Sequence, residues 1–193
     1  VSPDISDDMS REQARTKLGI AHTQPIYLVV GGSMGAGQMQ TLVRFLLKMK
    51  RAEDRVIVIC GTNQRVRKKM EKHFGKEKTI TIVGQTNQMP LYLRACDVIF
   101  TKPGGMTSTE AAVAEIPIVH TSPIPGCETV NRRYFRRRGM SVSGSESIAQ
   151  VVEGIRLMEQ PERRQRMIEQ QRTYIPKDAA LRICEFLKKE TKT

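Results

Sequence analysis

The sequence predicts an α/β fold, a doubly wound and mostly parallel sheet of about six strands with helices on both faces and a helical C-terminus. Three observations predict it. Short apolar runs recur at spacings of roughly 18–30 residues, helical patterns lie between them, and glycine or small polar residues follow most of the runs. No internal repeat or low-complexity segment is visible, so we expect residues 1–193 to form a single domain.

The sequence predicts a helix, a strand and a second helix in the first 50 residues. Ser10 is followed by a polar, helix-prone segment and is a suitable N-cap residue. Pro25 precedes Ile26–Val30, which is short and β-branched and is typical of a buried strand. After the glycine-rich segment Gly31–Gly37, apolar residues recur at helical spacing from Met39, which predicts an amphipathic helix to about Lys50.

The middle of the chain repeats this strand, loop and helix pattern. Apolar runs alternate with segments that have helical character, and each run ends in glycine or a small polar residue. We expect strands at Arg55–Cys60, Thr79–Val83, Val98–Thr101 and Ile116–Thr121, and helices at Gln64–His73, Met89–Ala95 and Thr107–Ala114.

The last third is mainly helical. Pro161 suits the first turn of a helix, and the segments around it carry apolar residues at helical spacing. We expect one brief strand at Met140–Val142 and helices at Glu128–Arg138, Ile148–Met158, Pro161–Arg172 and Asp178–Lys189.

Composition and charge limit the class of function. The chain has 39% apolar residues, and no run approaches the roughly 18 consecutive apolar residues of a membrane span. Its first residues lack the pattern of a signal peptide, so we expect a cytoplasmic protein. The net charge of +12 favours an anionic partner.

The four cysteines and three histidines show no metal-ligand spacing, so we expect no metal site. Cys60 and Cys96 should be buried and Cys127 exposed.

Four predicted strands end in glycine or small polar residues. These ends are Gly31–Gly37, Gly61–Asn63, Gly84–Thr86 and Pro103–Thr107. Ligands of parallel sheets bind beyond the carboxyl ends of the strands. Glycines also make ordinary turns, but four such ends at one edge favour a binding site. A helix that begins just after the last of these turns offers free N–H groups to a diphosphate.

Two carboxylates each have two interpretations. Thr107 and Glu110 have the spacing of a capping box, and spacing alone favours that role, but Glu110 could instead accept hydrogen bonds from ribose hydroxyls. Glu128 could bind sugar hydroxyls or simply favour the start of a helix. Asn131, one helical turn later, could share either role.

Two basic segments carry much of the charge, at 65–69 and 132–138. Most such runs are solvated helix faces. Attraction to anionic lipid is the next interpretation, and RNA binding is the weakest, because no nucleic-acid motif accompanies the charge.

The glycine loop after the first strand lacks the lysine of a P-loop and does not fit the dinucleotide spacing, which disfavours ordinary ATP hydrolysis and NAD binding.

Taken together, four segments resemble glycosyltransferase family 28, in its monogalactosyldiacylglycerol synthase and processive diacylglycerol glucosyltransferase branch. The segments are Gly31–Gly37, Val83–Met89, Lys102–Glu110 and Pro123–Asn131. The resemblance covers essentially the whole chain, as the C-terminal, Rossmann-like half of a two-domain GT-B enzyme. It implies that the N-terminal acceptor domain is a separate half of the enzyme.

The resemblance also implies a set of roles. Thr86 and Met89 would lie beside the uracil, Glu110 would bind the ribose, and Glu128 and Asn131 would face the hexose. The family usually carries glutamine at Cys127, so the resemblance leaves the hexose open. The expected donor-binding residues are Gly32, Ser33, Met34, Gly35, Gly61, Asn63, Gln85, Thr86, Met89, Pro103, Gly104, Gly105, Met106, Thr107, Glu110, Cys127, Glu128 and Asn131.

Family members are inverting and metal-independent, and their catalytic base belongs to the N-terminal domain. The resemblance therefore implies a UDP-sugar donor, a lipid acceptor such as diacylglycerol, and no cofactor or catalytic residue in this domain. It also implies a peripheral enzyme at the cytoplasmic membrane face, with no nucleic-acid partner. We expect this chain to bind the donor without turnover.

Three alternatives stay open on the sequence. The chain could be a stand-alone donor subunit of an N-acetylglucosamine transferase that needs a membrane partner. It could be related to UDP-N-acetylglucosamine 2-epimerases. A non-enzymatic alternative is a basic lipid- or RNA-binding module, whose binding should not depend on UDP.

Overall fold

The computed structural model describes residues 9–31 and 36–190, and six strands within them form one sheet. The strands are β1 (Ile26–Val30), β2 (Arg55–Ile59), β3 (Ile80–Val83), β4 (Val98–Thr101), β5 (Ile118–His120) and β6 (Val142–Ser143). The helices are α1 (Arg11–Lys17), α2 (Ala36–Met49), α3 (Gln64–Phe74), α4 (Met89–Ala95), α5 (Gly105–Val113), α6 (Cys127–Arg137), α7 (Ser147–Glu159), α8 (Pro161–Tyr174) and α9 (Ala179–Glu190).

The predicted fold class is confirmed. The strand order is β3-β2-β1-β4-β5-β6, and every paired neighbour is parallel. Side chains alternate along the strands between two buried clusters, because successive residues of a strand point to opposite faces. Tyr27 and Val29 join the cluster that includes residues of α2, α3 and α7. Ile26 and Leu28 join the cluster that includes residues of α4, α5 and α6. Helices therefore cover both faces.

Three boundaries differ from the sequence predictions in ways that matter for the site. Helix α5 begins at Gly105, two residues before the predicted start. Strand β5 covers only Ile118–His120, two residues shorter at its start and one at its end than predicted, although the N–H of Thr121 still bonds the carbonyl of Thr101. Strand β6 lies at Val142–Ser143 rather than Met140–Val142, because the N–H of Met140 bonds the carbonyl of Phe135 and closes the turn after α6.

A buried ion pair fixes α1 to the amino-terminal edge of the sheet. The capping box at Ser10 confirms the predicted start of α1. The Arg15 side chain, which is 4% exposed, donates to Asp97 Oδ2 at 2.9 Å. It also donates to the backbone carbonyls of Ala95 and His22. Asp97 Oδ2 accepts in addition from the N–H of Ile26 at 2.8 Å. One carboxylate thus joins α1, the start of β1 and the start of β4.

A second ion-pair group fixes the far end of α5. Glu115, just after this helix, has a left-handed backbone with φ 61°. Its carboxylate pairs with Arg172 at 2.6 Å and with Lys177 at 3.1 Å. The hydrogen bond from Arg172 is the main cause that lowers the pKa of Glu115 to about 2. Helix α5 is therefore tied to α8 at the end opposite the candidate site.

Candidate functional site

The carboxyl ends of all six strands lie at one edge, because the sheet is parallel. The strand order reverses between β1 and β4, which is where open α/β sheets form a ligand crevice. The loop after β1 carries the predicted residues Gly32, Ser33, Met34 and Gly35, which lie outside the described residues. The loop after β4 leads through Pro103 and Gly104 into α5.

The amino terminus of α5 has no side-chain cap among the described residues. Its N-cap is Gly104, which has no side chain to accept a hydrogen bond from the first turn. The first N–H groups of an α-helix have no partner within the helix, and they carry the positive end of its dipole. The capping interpretation of Thr107 and Glu110 is wrong, because the helix begins two residues before Thr107 and Glu110 lies beyond its first turn.

The two glycines at this helix start leave space that the fold does not use. Gly104 has φ −70° and ψ 143°, a backbone conformation open to any L-residue. Among the residues that the structure describes, a Cβ added at Gly104 would meet no atom within 4 Å. One added at Gly105 would meet only Asn131 Nδ2, at 3.9 Å. Within the described part of the chain, neither packing nor backbone strain explains glycine at Gly104. The open space would allow a ligand to approach the backbone closely.

Glu110 lies on α5, more than one turn from this helix start. Its side chain is half-buried, and its carboxylate has no hydrogen-bond or ion-pair partner in the part of the chain that the structure describes. A partly buried carboxylate without a partner is unfavourable, because burial removes water that nothing replaces. Hydroxyl groups of a ligand could supply the missing donors.

Helix α6 brings two further predicted residues to the same edge. The Asn131 side-chain amide donates to the carbonyl of Pro103 at 3.1 Å, which joins α6 to the turn before α5. Glu128 Oε2 accepts from the N–H of Ile124 at 2.6 Å and closes the loop before α6. Both residues therefore have structural roles, and each keeps one side-chain oxygen for a ligand. Their predicted contact with a hexose is a separate role, which stays a prediction.

The turn before α6 requires glycine for a conformational reason. Gly126 has φ 105° and ψ −128°, a region that L side chains rarely adopt. Cys127, the first residue of α6, is exposed, as predicted from the sequence. Cys60 and Cys96 are buried, also as predicted.

The residues on the β2 and β3 side of the edge have mainly structural contacts. Gly61 has φ 60°, and the Asn63 side chain caps α3 by accepting from the N–H of Val66 at 3.1 Å. The Thr86 hydroxyl accepts from the N–H of Gln88 at 3.0 Å. Gln85 is exposed, and Met89 packs partly against the core at the start of α4. Their expected contact with a nucleobase stays a prediction.

A buried histidine that the sequence did not single out supports α5. His120 Nε2 hydrogen bonds to the hydroxyl of Ser108 at 3.0 Å, and Nδ1 bonds to the hydroxyl of Ser141, also at 3.0 Å. Ser108 lies on α5, and Ser141 precedes β6. The ring packs edge-on against Phe135 of α6. No sequence spacing signals this network, because its three polar members come from separate elements.

This histidine predicts a pH dependence of stability. Burial lowers the pKa of His120 to about 3, with a smaller contribution from Arg132. In the unfolded chain the ring titrates near 6.5, so acid protonates the unfolded state first. The free energy of unfolding should therefore fall by about 1.4 kcal/mol per pH unit from pH 6.5 toward pH 3. Melting temperatures at pH 7 and pH 5 measure this effect.

The variant His120→Gln is the matched control for that measurement. Glutamine can donate and accept hydrogen bonds but does not titrate, so its melting temperature should vary less between pH 7 and pH 5. An equal decline in both proteins would show that other groups cause the acid sensitivity. Glu115 is not among them in this range, because its folded pKa of about 2 affects stability only below roughly pH 4.5.

Two kinds of feature are absent from the described residues. No group of three or more histidine, cysteine or acidic side chains is arranged to hold a metal ion. No helix among these residues combines the length and the apolar character that a bilayer crossing requires.

Comparison with known proteins gives one family and a recurrent fold. The family model for glycosyl transferases group 1 matches residues 10–174. A processive diacylglycerol beta-glucosyltransferase of Staphylococcus carnosus is 26% identical over 141 residues, which is 72% of this chain and 36% of that protein. The chain thus spans about a third of the length of this curated relative.

Two solved structures share the fold over nearly the whole chain. A putative UDP-N-acetylglucosamine 2-epimerase from Listeria monocytogenes has a TM-score of 0.75 at 18% identity, over 97% of this chain and 50% of that one. Anabaena Alr3699/HepE, solved with UDP and glucose, has a TM-score of 0.70 at 16% identity, over 97% of this chain and 53% of that one. In both cases the chain matches about half of a larger protein.

Proposed function

This chain belongs to the glycosyl transferases group 1 family, and from that premise we propose that residues 1–193 are the donor-binding domain of a UDP-sugar-dependent hexosyltransferase. The observation that carries the proposal is the uncapped start of α5, with unused space over Gly104 and Gly105. Backbone N–H groups at a helix start bind phosphate. The domain would supply the donor site, and a separate acceptor domain would complete the enzyme.

The relatives support a sugar nucleotide and a lipid as substrates. Processive diacylglycerol beta-glucosyltransferases are among the sequence relatives, and the HepE structure contains UDP and glucose. We infer a UDP-hexose donor and an acceptor such as diacylglycerol, used at the cytoplasmic face of a membrane. The 2-epimerase shares this fold as well, so the fold alone does not separate the two enzyme classes. The sequence relatives favour the transferase.

The proposed donor lies along the carboxyl edge of the sheet. Its diphosphate would bind the N–H groups at the start of α5, and Glu110 would accept the ribose hydroxyls. The uracil would reach the loop after β3, near Thr86. The hexose would extend toward Glu128 and Asn131, whose free side-chain oxygens suit hydroxyl donors.

The same arrangement favours bond cleavage. An acceptor hydroxyl attacks the anomeric carbon, the bond from that carbon to the diphosphate oxygen breaks, and UDP leaves with the electron pair. Negative charge therefore grows on the diphosphate, where fixed N–H groups and the dipole of α5 stabilise the transition state more than the ground state. The acceptor proton would pass to a base in the other domain. In this proposal the reaction inverts the anomeric carbon and uses no metal.

Calorimetry of the full chain tests the proposal directly. UDP, UDP-glucose, UDP-galactose and UDP-N-acetylglucosamine should be titrated separately. We expect measurable heat with UDP and a preference for one sugar nucleotide, which would identify the hexose. The absence of binding to all four would contradict the proposal. Reversible formation of an epimeric UDP-sugar without an acceptor would support the epimerase instead.

Glu110→Gln should weaken UDP binding by roughly 10- to 100-fold, because hydrogen bonds to a charged acceptor contribute about 1.5–3 kcal/mol. The melting temperature should hardly change, because the Glu110 side chain has no partner among the described residues and does not cap α5. Calorimetry and thermal unfolding measure the two effects.

Glu77→Gln is the matched control. Glu77 is exposed and precedes β3 at the amino-terminal edge, so this variant should leave both UDP affinity and melting temperature unchanged. A large loss of stability in Glu110→Gln with unchanged UDP affinity would refute the ribose role.

A further inference from the structure

The outer face of α6 carries a group of arginines that the donor site does not use. Arg132, Arg133, Arg136 and Arg137, with Thr129, line a cavity of about 370 Å³. Pairs of these arginines are four residues apart and therefore adjacent on the helix surface. Like charges at this spacing destabilise a helix, so the group has a cost that an anionic partner would relieve. We name these four residues the α6 arginine group.

Several exposed basic residues elsewhere form ion pairs, whereas the α6 arginine group forms none among the described residues. Arg67 pairs with Glu71, both Arg156 and Arg163 pair with Glu153, and Arg172 pairs with Glu115. Within residues 9–31 and 36–190, no carboxylate lies at ion-pair distance from any of the four α6 arginines. The acidic residue of α6, Glu128, is turned to the N–H of Ile124 instead.

Exposed apolar residues lie beside these charges. Val130 is 64% exposed and Tyr134 is 40% exposed; they are one helical turn apart on α6, next to Arg133 and Arg137. Ile124, in the loop before the helix, is 48% exposed. Helices that lie in a bilayer interface combine basic residues with apolar and aromatic side chains in this way.

We propose that the outer face of α6 docks on an anionic bilayer surface. The arginine group would bind lipid phosphates, while Val130 and Tyr134 would enter the interface. This surface adds an anionic membrane as a partner of the domain. The inference rests on the proposed function, because docking matters for a transferase that acts on lipid. Because α6 also carries Glu128 and Asn131 in its first turns, docking there would hold the sugar end of the donor site close to a lipid acceptor.

The apolar neighbours favour a bilayer over a soluble polyanion. Arginines alone would suit nucleic acid or free phosphate equally well, since both offer anionic oxygens. Exposed Val130 and Ile124 add nothing to such contacts, but they gain free energy by leaving water for the acyl boundary. A bilayer binds both parts of the surface, because its phosphates pair with the arginines and its acyl boundary takes up the apolar side chains.

Sedimentation with lipid vesicles tests the proposal. The full chain should bind vesicles of phosphatidylcholine mixed with phosphatidylglycerol, and bind vesicles of phosphatidylcholine alone much more weakly. The variant R132Q/R133Q/R136Q/R137Q should lose at least about 100-fold in vesicle affinity, given the usual contribution of each basic residue near an anionic surface. Val130→Ser should lose a smaller factor, and Ile148→Ser, at an exposed residue of α7, should lose none.

A charge-matched variant separates this surface from net charge. R65Q/K68Q/K69Q/K72Q removes four exposed basic residues from α3 and lowers the net charge equally, so it should keep vesicle affinity within a few-fold. An equal loss in both variants would overturn the proposal, as would weak binding of the unaltered chain to anionic vesicles. Tighter binding to single-stranded RNA or inorganic pyrophosphate through α6 would also overturn it. UDP calorimetry of both variants distinguishes a loss of membrane docking from a failure of the proposed function, because both variants should bind UDP with unchanged affinity.

Discussion

Replacing Gly104 with valine should lower UDP affinity at least about 100-fold while the domain stays folded. The valine side chain would occupy the space over the start of α5, where a Cβ meets no atom of the described residues. The diphosphate would then lose its N–H donors, and each hydrogen bond to a charged group contributes about 1.5–3 kcal/mol. Calorimetry with UDP measures the loss.

Stability is the internal control for this variant. The backbone at Gly104 has φ −70° and ψ 143°, so a residue with a side chain can adopt it without strain. Replacement of such a glycine usually raises stability by about 0.4–1 kcal/mol, because the unfolded chain becomes less flexible. Gly104→Ala should weaken UDP binding less than Gly104→Val. Unchanged affinity in both variants would show that no ligand approaches this turn.

Arg15→Ala should reduce the free energy of unfolding by about 3–5 kcal/mol, which is the usual effect of breaking a buried ion pair. Arg15 is almost fully buried, and its removal would leave two backbone carbonyls without their donor and take from Asp97 its buried cationic partner. Chemical denaturation, analysed as a two-state transition, measures this change.

Arg11→Ala provides the matched control. Arg11 pairs with Oδ1 of the same carboxylate at 2.5 Å, but its side chain is 50% exposed. Solvent screens such a pair, so its loss should cost at most about 1 kcal/mol. Equal losses in the free energy of unfolding from the two variants would show that burial does not make the Arg15 ion pair stronger than the Arg11 pair. The domain would then not depend on Arg15 to hold α1.

The sheet could be predicted from the sequence because local patterns encode it. Ile26–Val30 and Val98–Thr101 are continuous apolar runs bounded by turns, and the structure reproduces both limits. Helix α4 is also reproduced residue for residue. The expectation that Cys60 and Cys96 are buried followed from the apolar runs around them, and it is confirmed.

Contacts between distant segments could not be predicted in the same way. The start of α5 was placed two residues late, because glycine is a poor helix former and spacing favoured a cap at Thr107. His120 joins Ser108 to Ser141 across three elements, and the role of Arg15 depends on a carboxylate far along the chain. Such pairs leave no periodic signal in a single sequence. The candidate site was therefore predictable as an edge of the sheet, but its supporting network was not.

The strand order also affects how the protein forms during translation. Strand β1 lies between β2 and β4, and Asp97, which holds its first residue, follows Arg15 by 82 positions. At about 5–20 residues per second, the ribosome needs roughly 4–16 s to add that stretch. In the later part of this time, after β2 and before β4, the nascent chain carries an apolar strand with one open edge, a state that invites aggregation and that chaperones commonly shield.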